Sequence, residues 1–486
     1  MKKLVKSILM IGSSTSANML VAIVRNKLMA VMLGPSGLGF FAQLTGLQNL
    51  VAGLVPMGMQ EGVVRYVAKY RAEDPAKLKS FVITASRLFL LLSVVSTILC
   101  LVLIKPLAAW VLDESRHFLF LLPAILGIPL IVQSRLHQTF LQASMEVKLY
   151  SKALVVTSVF GLITLVPMVL EWGLPGAAVH LLLFALLGYV VASMYSKRTL
   201  DKSLKSEENV TGLDRLAVRN LFRFGFASLP NTFFLLFVPF FVRIKIISDL
   251  GFEANGIYQV IYAVSTQYLV VPISAMATYT LPKISSLRDV KDINQEINIA
   301  VRGVLLFSTA AILTLLLGRD LFVRLLFTDK FLPAIALFPL QLLGDLIKAV
   351  AWAIGLPTLP QERFRARIVL ISLRNAVFLG VFFLTPAESR LFGAVLAYSV
   401  AYGVNLVSTY LYMHWLNGFK FDRKAGVLLL TSLTAVTIVA FLPLDFRWRA
   451  AGVAISVVWV LISVQRQDWM KFVAMLRERF QRKKAI

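Results

Sequence analysis

Over 486 residues this chain is 58% hydrophobic and only 15% charged, with a mean hydropathy of +0.78; soluble domains carry roughly 25% charged residues, so a water-soluble fold is excluded. The net charge of +25 would suggest nucleic acid in a soluble chain. In a membrane chain it reflects Lys and Arg retained on one side, and with no RNA- or DNA-binding motif present no nucleic-acid partner is expected.

An apolar helix needs about 20 residues to cross the hydrocarbon core. Taken in chain order, candidate spans fall at 8–33, 38–64, 81–104, 118–141, 153–170 and 177–194. A polar connector at 197–220 follows, and then come 222–247, 256–281, 299–317, 331–356, 368–385 and 391–411. Two shorter segments, 427–442 and 448–464, close the series, giving an all-α polytopic membrane protein of about fourteen helices. Lys2, Lys3 and Lys6 resemble the charged start of a signal peptide, but the apolar run after them is too long and reads as a retained span. The Lys and Arg residues concentrate in the loops that an N-terminus inside places in the cytoplasm, so both termini are expected there.

The first and seventh segments open one motif written twice. Val24-Arg25-Asn26-Lys27 runs on to Gly34, Gly39, Gln43 and Pro56, while Val242-Arg243-Ile244-Lys245 runs on to Gly251, Gly256, Gln259 and Pro272. Offsets of 216 to 218 residues throughout indicate two homologous halves. With an even number of helices per half, both enter the membrane with the same polarity, so the repeats are parallel. The expected organisation is an N-lobe at 1–196, a connector at 197–220, a C-lobe at 221–415, an extra helix pair at 416–465 and a tail at 466–486. In that tail Trp469, Phe472, Val473, Leu476 and Phe480 lie opposite Lys471, Arg477, Arg479 and Arg482, the pattern of an amphipathic helix on the cytoplasmic leaflet.

Ionisable side chains at membrane depth are costly and point to a cargo path. The inventory is strongly cationic: Arg25, Lys27 and Arg135 in the first half, Arg243, Lys245, Lys348 and Arg374 in the second, with Gln43 and Gln259 as polar neighbours. An anionic cargo between the lobes is the reading, since an Arg fork grips phosphate with two parallel hydrogen bonds and Lys adds a point charge. Arg25 and Arg243 could instead anchor helix ends, and the glutamines could join helices. Asp345 is the carboxylate placed well inside the hydrocarbon region, and Lys348 three residues on can pair with it, either as a static ion pair or as the coupling element. Pro56, Pro230 and Pro272 are expected to kink their helices.

Other chemistry is not expected. Cys100 is alone, the four histidines are scattered and no phosphate-binding glycine loop is present, so no metal, no cofactor and no nucleotide hydrolysis is anticipated. The outer loops are too short for the catalytic portion of a membrane glycosyltransferase or ligase, and the chain is read as a transporter rather than an enzyme.

The run Leu33-Gly-Pro-Ser-Gly-Leu-Gly-Phe40, continuing through Gln43, Pro56 and Gly58 to Glu61-Gly-Val-Val-Arg65-Tyr-Val-Ala-Lys69, resembles the N-terminal signature of the polysaccharide and O-antigen flippases (Wzx type) of the multidrug/oligosaccharidyl-lipid/polysaccharide exporter superfamily. Leu325–Phe331 and Leu343–Trp352 add weaker matches, and the organisation is similar over about residues 1 to 415. The resemblance implies a V-shaped two-lobe flippase of the bacterial inner membrane. It would move undecaprenyl-pyrophosphate-linked oligosaccharide to the periplasmic leaflet by alternating access, among membrane lipids and with a polysaccharide polymerase and chain-length regulator as partners. On that reading Arg25, Lys27, Arg135, Arg243, Lys245, Arg374, Gln43 and Gln259 hold the pyrophosphate and sugar, while Asp345 and Lys348 couple transport to an energy source. The helix pair beyond 415 departs from members that end after twelve helices. A cation-coupled multidrug exporter of the same superfamily is the alternative; it should carry a carboxylate deep in the first lobe, where the candidate is Glu61 near a helix end.

Overall fold

A computed structural model of the chain describes residues 2–201, 214–268, 280–281, 283–358, 361 and 363–441, with scattered positions at 273, 276, 447, 450–452, 454 and 458. Among these residues there is no strand. The helices are α1 (Lys2–Leu54), α2 (Gln60–Glu73), α3 (Pro75–Val102), α4 (Ile104–Leu112), α5 (Phe118–Leu126), α6 (Ile128–Ala143), α7 (Val147–Asp201) and α8 (Arg215–Tyr268). They continue as α9 (Val290–Leu317), α10 (Arg319–Leu326), α11 (Phe338–Gly355), α12 (Phe364–Leu384), α13 (Arg390–Asn417) and α14 (Arg423–Phe441). Nine stretches of described helix are long and apolar enough to cross a membrane. The chain is thus an all-α polytopic membrane protein. Large apolar side chains such as Val102, Leu170, Leu384 and Trp415 point outward, as lipid permits and water would not.

Three of the long helices are each two helices joined at a glycine. Gly34 in α1 (φ 65°), Gly173 in α7 (φ 57°) and Gly251 in α8 (φ 83°) adopt left-handed backbone that a side chain disfavours. Pro35 and Pro175 follow the first two, and their fixed φ restarts the next helix. The sequence segments 8–33 and 38–64 therefore meet inside α1, 153–170 and 177–194 inside α7, and 222–247 and the described part of 256–281 inside α8. Gly34 and Gly251 are equivalent positions of the repeat, so the duplication is visible in backbone conformation as well as in sequence.

The segment expected at 38–64 is not one helix. It stops at Leu54 and resumes at Gln60, with Met57 at φ 52° and Gly58 at φ 86° in the turn between. Pro56 lacks the N–H and crowds the preceding turn, and Gly58 supplies the positive φ, so the pair ends the helix instead of bending it. Pro230 does sit inside α8. Pro272, the segment at 448–464 in its greater part and the tail at 466–486 lie outside the described residues, as does 202–213 of the connector.

The chain divides into two compact units. The first comprises 1–264, 320–335 and 364–397, the second 265–319, 336–363 and 398–486. In the first, α7 is the central packing element, lying against α1 and α6. In the second, α9 lies against α11 and α14, and α11 against α14, around Leu305, Ile312, Leu342, Leu346 and Val436.

Candidate functional site

Within the first unit the two copies of the repeat motif touch one another. A Cβ on Gly39 would collide with the carbonyl of Phe252 and lie 2.7 Å from the Gly256 nitrogen, and one on Gly256 would collide with the carbonyl of Pro35. Pro35 and Phe252 are themselves equivalent positions, so the contact is reciprocal, backbone against backbone, and demands glycine on both sides. One hydrogen bond breaks the symmetry: Asn255 Nδ2 donates to the Gly39 carbonyl at 2.8 Å, and the position equivalent to Asn255 is Leu38.

The cations of the first copy have different fates. Lys27 Nζ donates to the carbonyls of Arg324 (2.9 Å) and Phe327, where α10 ends. Four carbonyls lack partners at a helix C-terminus, and a cation there meets the negative end of the dipole. Arg25, half a turn away on the same helix, differs: its Nε is buried with no hydrogen-bond partner. Gln43 is fully buried and donates through Nε2 to the Val111 carbonyl at 3.2 Å, leaving its Oε1 without a donor. Arg135 on α6 donates to Asn49 Oδ1 at 2.6 Å.

Both cations of the second copy have partners. Arg243 is 6% exposed; it donates to Gln259 Oε1 and to the Ala42 carbonyl (3.5 Å), and its guanidinium lies 4.6 Å from the Tyr262 ring and 6.0 Å from that of Tyr258. A planar cation between aromatic faces is favourable where water is absent. Lys245 pairs with Asp249 at 3.4 Å, and Asp249 accepts from Arg390 at 2.5 Å, closing a three-membered charge cluster. Arg243 and Gln259 are thus brought together as expected of residues sharing a site, whereas Lys27, Lys245 and Arg135 each engage a protein partner. Arg374 is half-buried on α12 and is also engaged.

In the second unit Asp345 is fully buried on α11. It does not form the expected ion pair with Lys348: the Tyr398 hydroxyl stands between them, donating to Asp345 Oδ1 at 2.7 Å and accepting from Lys348 Nζ at 3.2 Å. Ser265 donates to the same Oδ1 at 2.6 Å and accepts from Gln341 at 3.1 Å. The result is a chain of hydrogen bonds, Gln341 to Ser265 to Asp345, met from the other side by Lys348 through Tyr398. The ammonium also sits over the rings of Tyr398 and Tyr402, at 5.7 and 5.6 Å. Oriented hydroxyls replace water around the carboxylate, the condition for a charged or protonated group to persist at depth.

Sequence reasoning missed Tyr258, Tyr262 and Tyr398, together with Ser265, Asp249, Asn255 and Arg390. Tyr258/Tyr262 and Tyr398/Tyr402 are pairs one helical turn apart, a spacing that marks a shared face, yet nothing in it names the cation they cover. No cluster of three His, Cys, Asp or Glu side chains exists among the described residues.

Comparison with known proteins follows the same outline. The family model described as "Polysaccharide biosynthesis protein" matches residues 4–288. The Lipid III flippase of Escherichia coli (strain K12) is 27% identical over 404 residues, covering 82% of this chain and 95% of that protein, and the Lipid III flippase of Shigella flexneri gives the same figures. Among solved structures, the lipid II flippase MurJ in an inward closed conformation aligns with a TM-score of 0.71 over 96% of this chain and 99% of that one, at 15% identity. An inward-facing MATE family multidrug resistance transporter of the MOP superfamily aligns with a TM-score of 0.67 over 82% of this chain and 96% of that one, at 16% identity. The resemblance to the polysaccharide family drawn from 33–69 is borne out, and the fold is shared with both solved transporters.

Proposed function

Because the chain belongs to the polysaccharide biosynthesis protein family, we propose that it is a flippase for lipid-linked oligosaccharide. More narrowly, the cargo is an undecaprenyl-pyrophosphate-linked repeat unit of O-antigen or another surface polysaccharide, carried from the cytoplasmic to the periplasmic leaflet of the bacterial inner membrane. The flippase relatives support the general reading, and the cationic interior supports an acidic cargo. The observation that carries it is Arg25, a guanidinium on the repeat motif with a buried donor that no protein group accepts. A buried unsatisfied donor costs roughly 1–3 kcal/mol, more when charged, and an anionic oxygen would relieve it. Gln43 and Arg135 lie on neighbouring helices of the same unit and extend the polar lining. Arg243, Gln259, Lys27 and Lys245 join the pyrophosphate and sugar path by exchanging their present partners as the carrier turns over, as does Arg374. Residues 1–196 and 221–415 act as the two moving lobes joined by 197–220, with 416–465 as an added helix pair and 466–486 as a cytoplasmic tail, both termini inside. A polysaccharide polymerase and a chain-length regulator act downstream.

Energy input is assigned to Asp345, Lys348 and the hydroxyls between them. The carboxylate changes protonation or partner through Tyr398 and Ser265 as the empty carrier returns. A cation-coupled drug exporter is disfavoured because no carboxylate of the first half is buried among the described residues, and Glu61 is exposed.

Translocation of a fluorescent or radiolabelled lipid-linked oligosaccharide into proteoliposomes tests the function. Arg25→Ala should insert normally and fail to translocate, with Arg25→Lys recovering part because the fork is lost. Wild-type translocation by the Arg25→Ala chain would remove Arg25 from the cargo path, and an inert wild-type chain would reject the flippase reading.

A further inference from the structure

We propose that the first turns of α8 bind an anionic phospholipid of the adjoining leaflet, at a site separate from the repeat motif and independent of which cargo is moved. A cavity of about 500 Å³ opens there, lined by Leu216, Arg219, Asn220, Phe222, Arg223 and Phe226. Arg219 and Arg223 are one turn apart, both exposed, and neither takes part in an ion pair with a described residue. The nearest acid in sequence, Asp214, is committed elsewhere: its Oδ1 caps the helix, accepting from the backbone N–H of Leu216 (2.8 Å) and Ala217 (3.1 Å). Among the described residues the arginines therefore have no carboxylate partner, and they present two guanidinium forks to whatever enters the cavity.

The rest of the lining has the opposite character. Leu216 and Phe226 are 61% and 63% exposed, and Phe222 stacks on Phe226 with centroids 6.0 Å apart. Further along α8 the same face carries Phe233, Phe237 and Phe241, stacked successively at 4.8 and 5.7 Å. At about 100° per residue, positions 219, 222, 223, 226, 233, 237 and 241 share one side of the helix. Cations thus sit at the level where the apolar segment begins, at Phe222, and an apolar face runs from them into the hydrocarbon, aromatic at Phe222 and Phe226 and again from Phe233 to Phe241, with Leu229 and Pro230 between. Neither water nor a soluble anion satisfies both ends. A phosphodiester with acyl chains does: its phosphate accepts from Arg219 and Arg223 while a chain lies along the phenylalanines.

Native mass spectrometry of the purified full chain, titrated with phosphatidylglycerol or with phosphatidylcholine of the same acyl composition, reads this directly. The wild-type chain should retain phosphatidylglycerol about tenfold better, and the double variant R219Q/R223Q should lose that preference. A charge-matched control, K148Q/K152Q, removes two exposed cations from the start of α7 and should keep it. The milder R219K/R223K double variant retains both charges and should lower the preference severalfold because the forks are gone, which protects the test should the glutamine variant fold poorly. The proposal is overturned if wild type shows no preference, if R219Q/R223Q or R219K/R223K retains it in full, or if K148Q/K152Q loses it equally. Retention of a prenyl diphosphate but not of phosphatidylglycerol would also overturn it, assigning the cavity to cargo instead.

Discussion

The two copies of the Arg-x-Lys motif occupy equivalent places in sequence and meet different surroundings. In the second copy Arg243 bonds Gln259 and lies between Tyr258 and Tyr262, and Lys245 closes a cluster with Asp249 and Arg390. In the first, Lys27 is tied to the end of α10, while Arg25 and the equivalent glutamine, Gln43, each keep an unpartnered buried atom. The neighbours show how this arises: at the offsets of the repeat the equivalents of Tyr258 and Tyr262 are Phe41 or Ala42 and Thr45 or Gly46, so the tyrosine pair that covers Arg243 has no counterpart in the first copy. Duplication supplies the same charges twice, and divergence of their neighbours makes one a fastened structural group and leaves the other available.

That contrast is breakable. The largest effect is expected at Arg25, where replacement by Ala should lower lipid-linked sugar translocation about thirtyfold or more, the scale of a lost charge-assisted contact worth 2–5 kcal/mol, with little change in Tm. Arg243→Ala should do the reverse in emphasis, lowering Tm and folded yield by leaving the half-buried Gln259 without its partner, at roughly 1–3 kcal/mol. Thermal unfolding in detergent beside proteoliposome transport separates the two, and equal loss of stability in both variants would erase the distinction. Next in size is the reciprocal glycine contact. Gly39→Ala and Gly256→Ala should each destabilise by about 1–3 kcal/mol through overpacking, and by similar amounts because the contact is two-sided. Unequal losses would show that Asn255, present on one side alone, dominates.

Smaller effects sharpen the comparison with the second unit. Tyr398→Phe removes a hydroxyl from a buried carboxylate and should cost roughly 1–3 kcal/mol, measurable as a fall in Tm. If Asp345 and Lys348 are static, joint neutralisation as Asp345→Asn with Lys348→Met should fold and transport at the normal rate across pH and membrane potential. If they couple transport, that pair should fold and stall.

The helices and their junctions were legible because the signals are local. Leu33-Gly34-Pro35 carries its own reason to break, and the repeat of Gly34 at Gly251 announced the second junction. The turn at 55–59 was visible in Pro56 and Gly58 but was read as a kink, since a single proline can give either outcome and the positive φ of Met57 has no sequence marker. The site was less legible for a different reason. Asp345 and Lys348 are three residues apart, and helical spacing alone permits a pair; the group that intervenes, Tyr398, arrives from α13. Likewise the charges at Arg25 and Arg243 were evident, but whether each is satisfied depends on side chains contributed from elsewhere in the fold.

The reciprocal meeting of Gly39 with Phe252 and of Gly256 with Pro35 is isologous in the sense used for homodimers: one patch serves both sides, related by a local two-fold. Such an interface constrains its halves jointly. A side chain acquired by either glycine is opposed by the backbone of the other copy, which no compensating side-chain change can withdraw, so the two halves are free to diverge along their lengths but remain locked as twins at this one point.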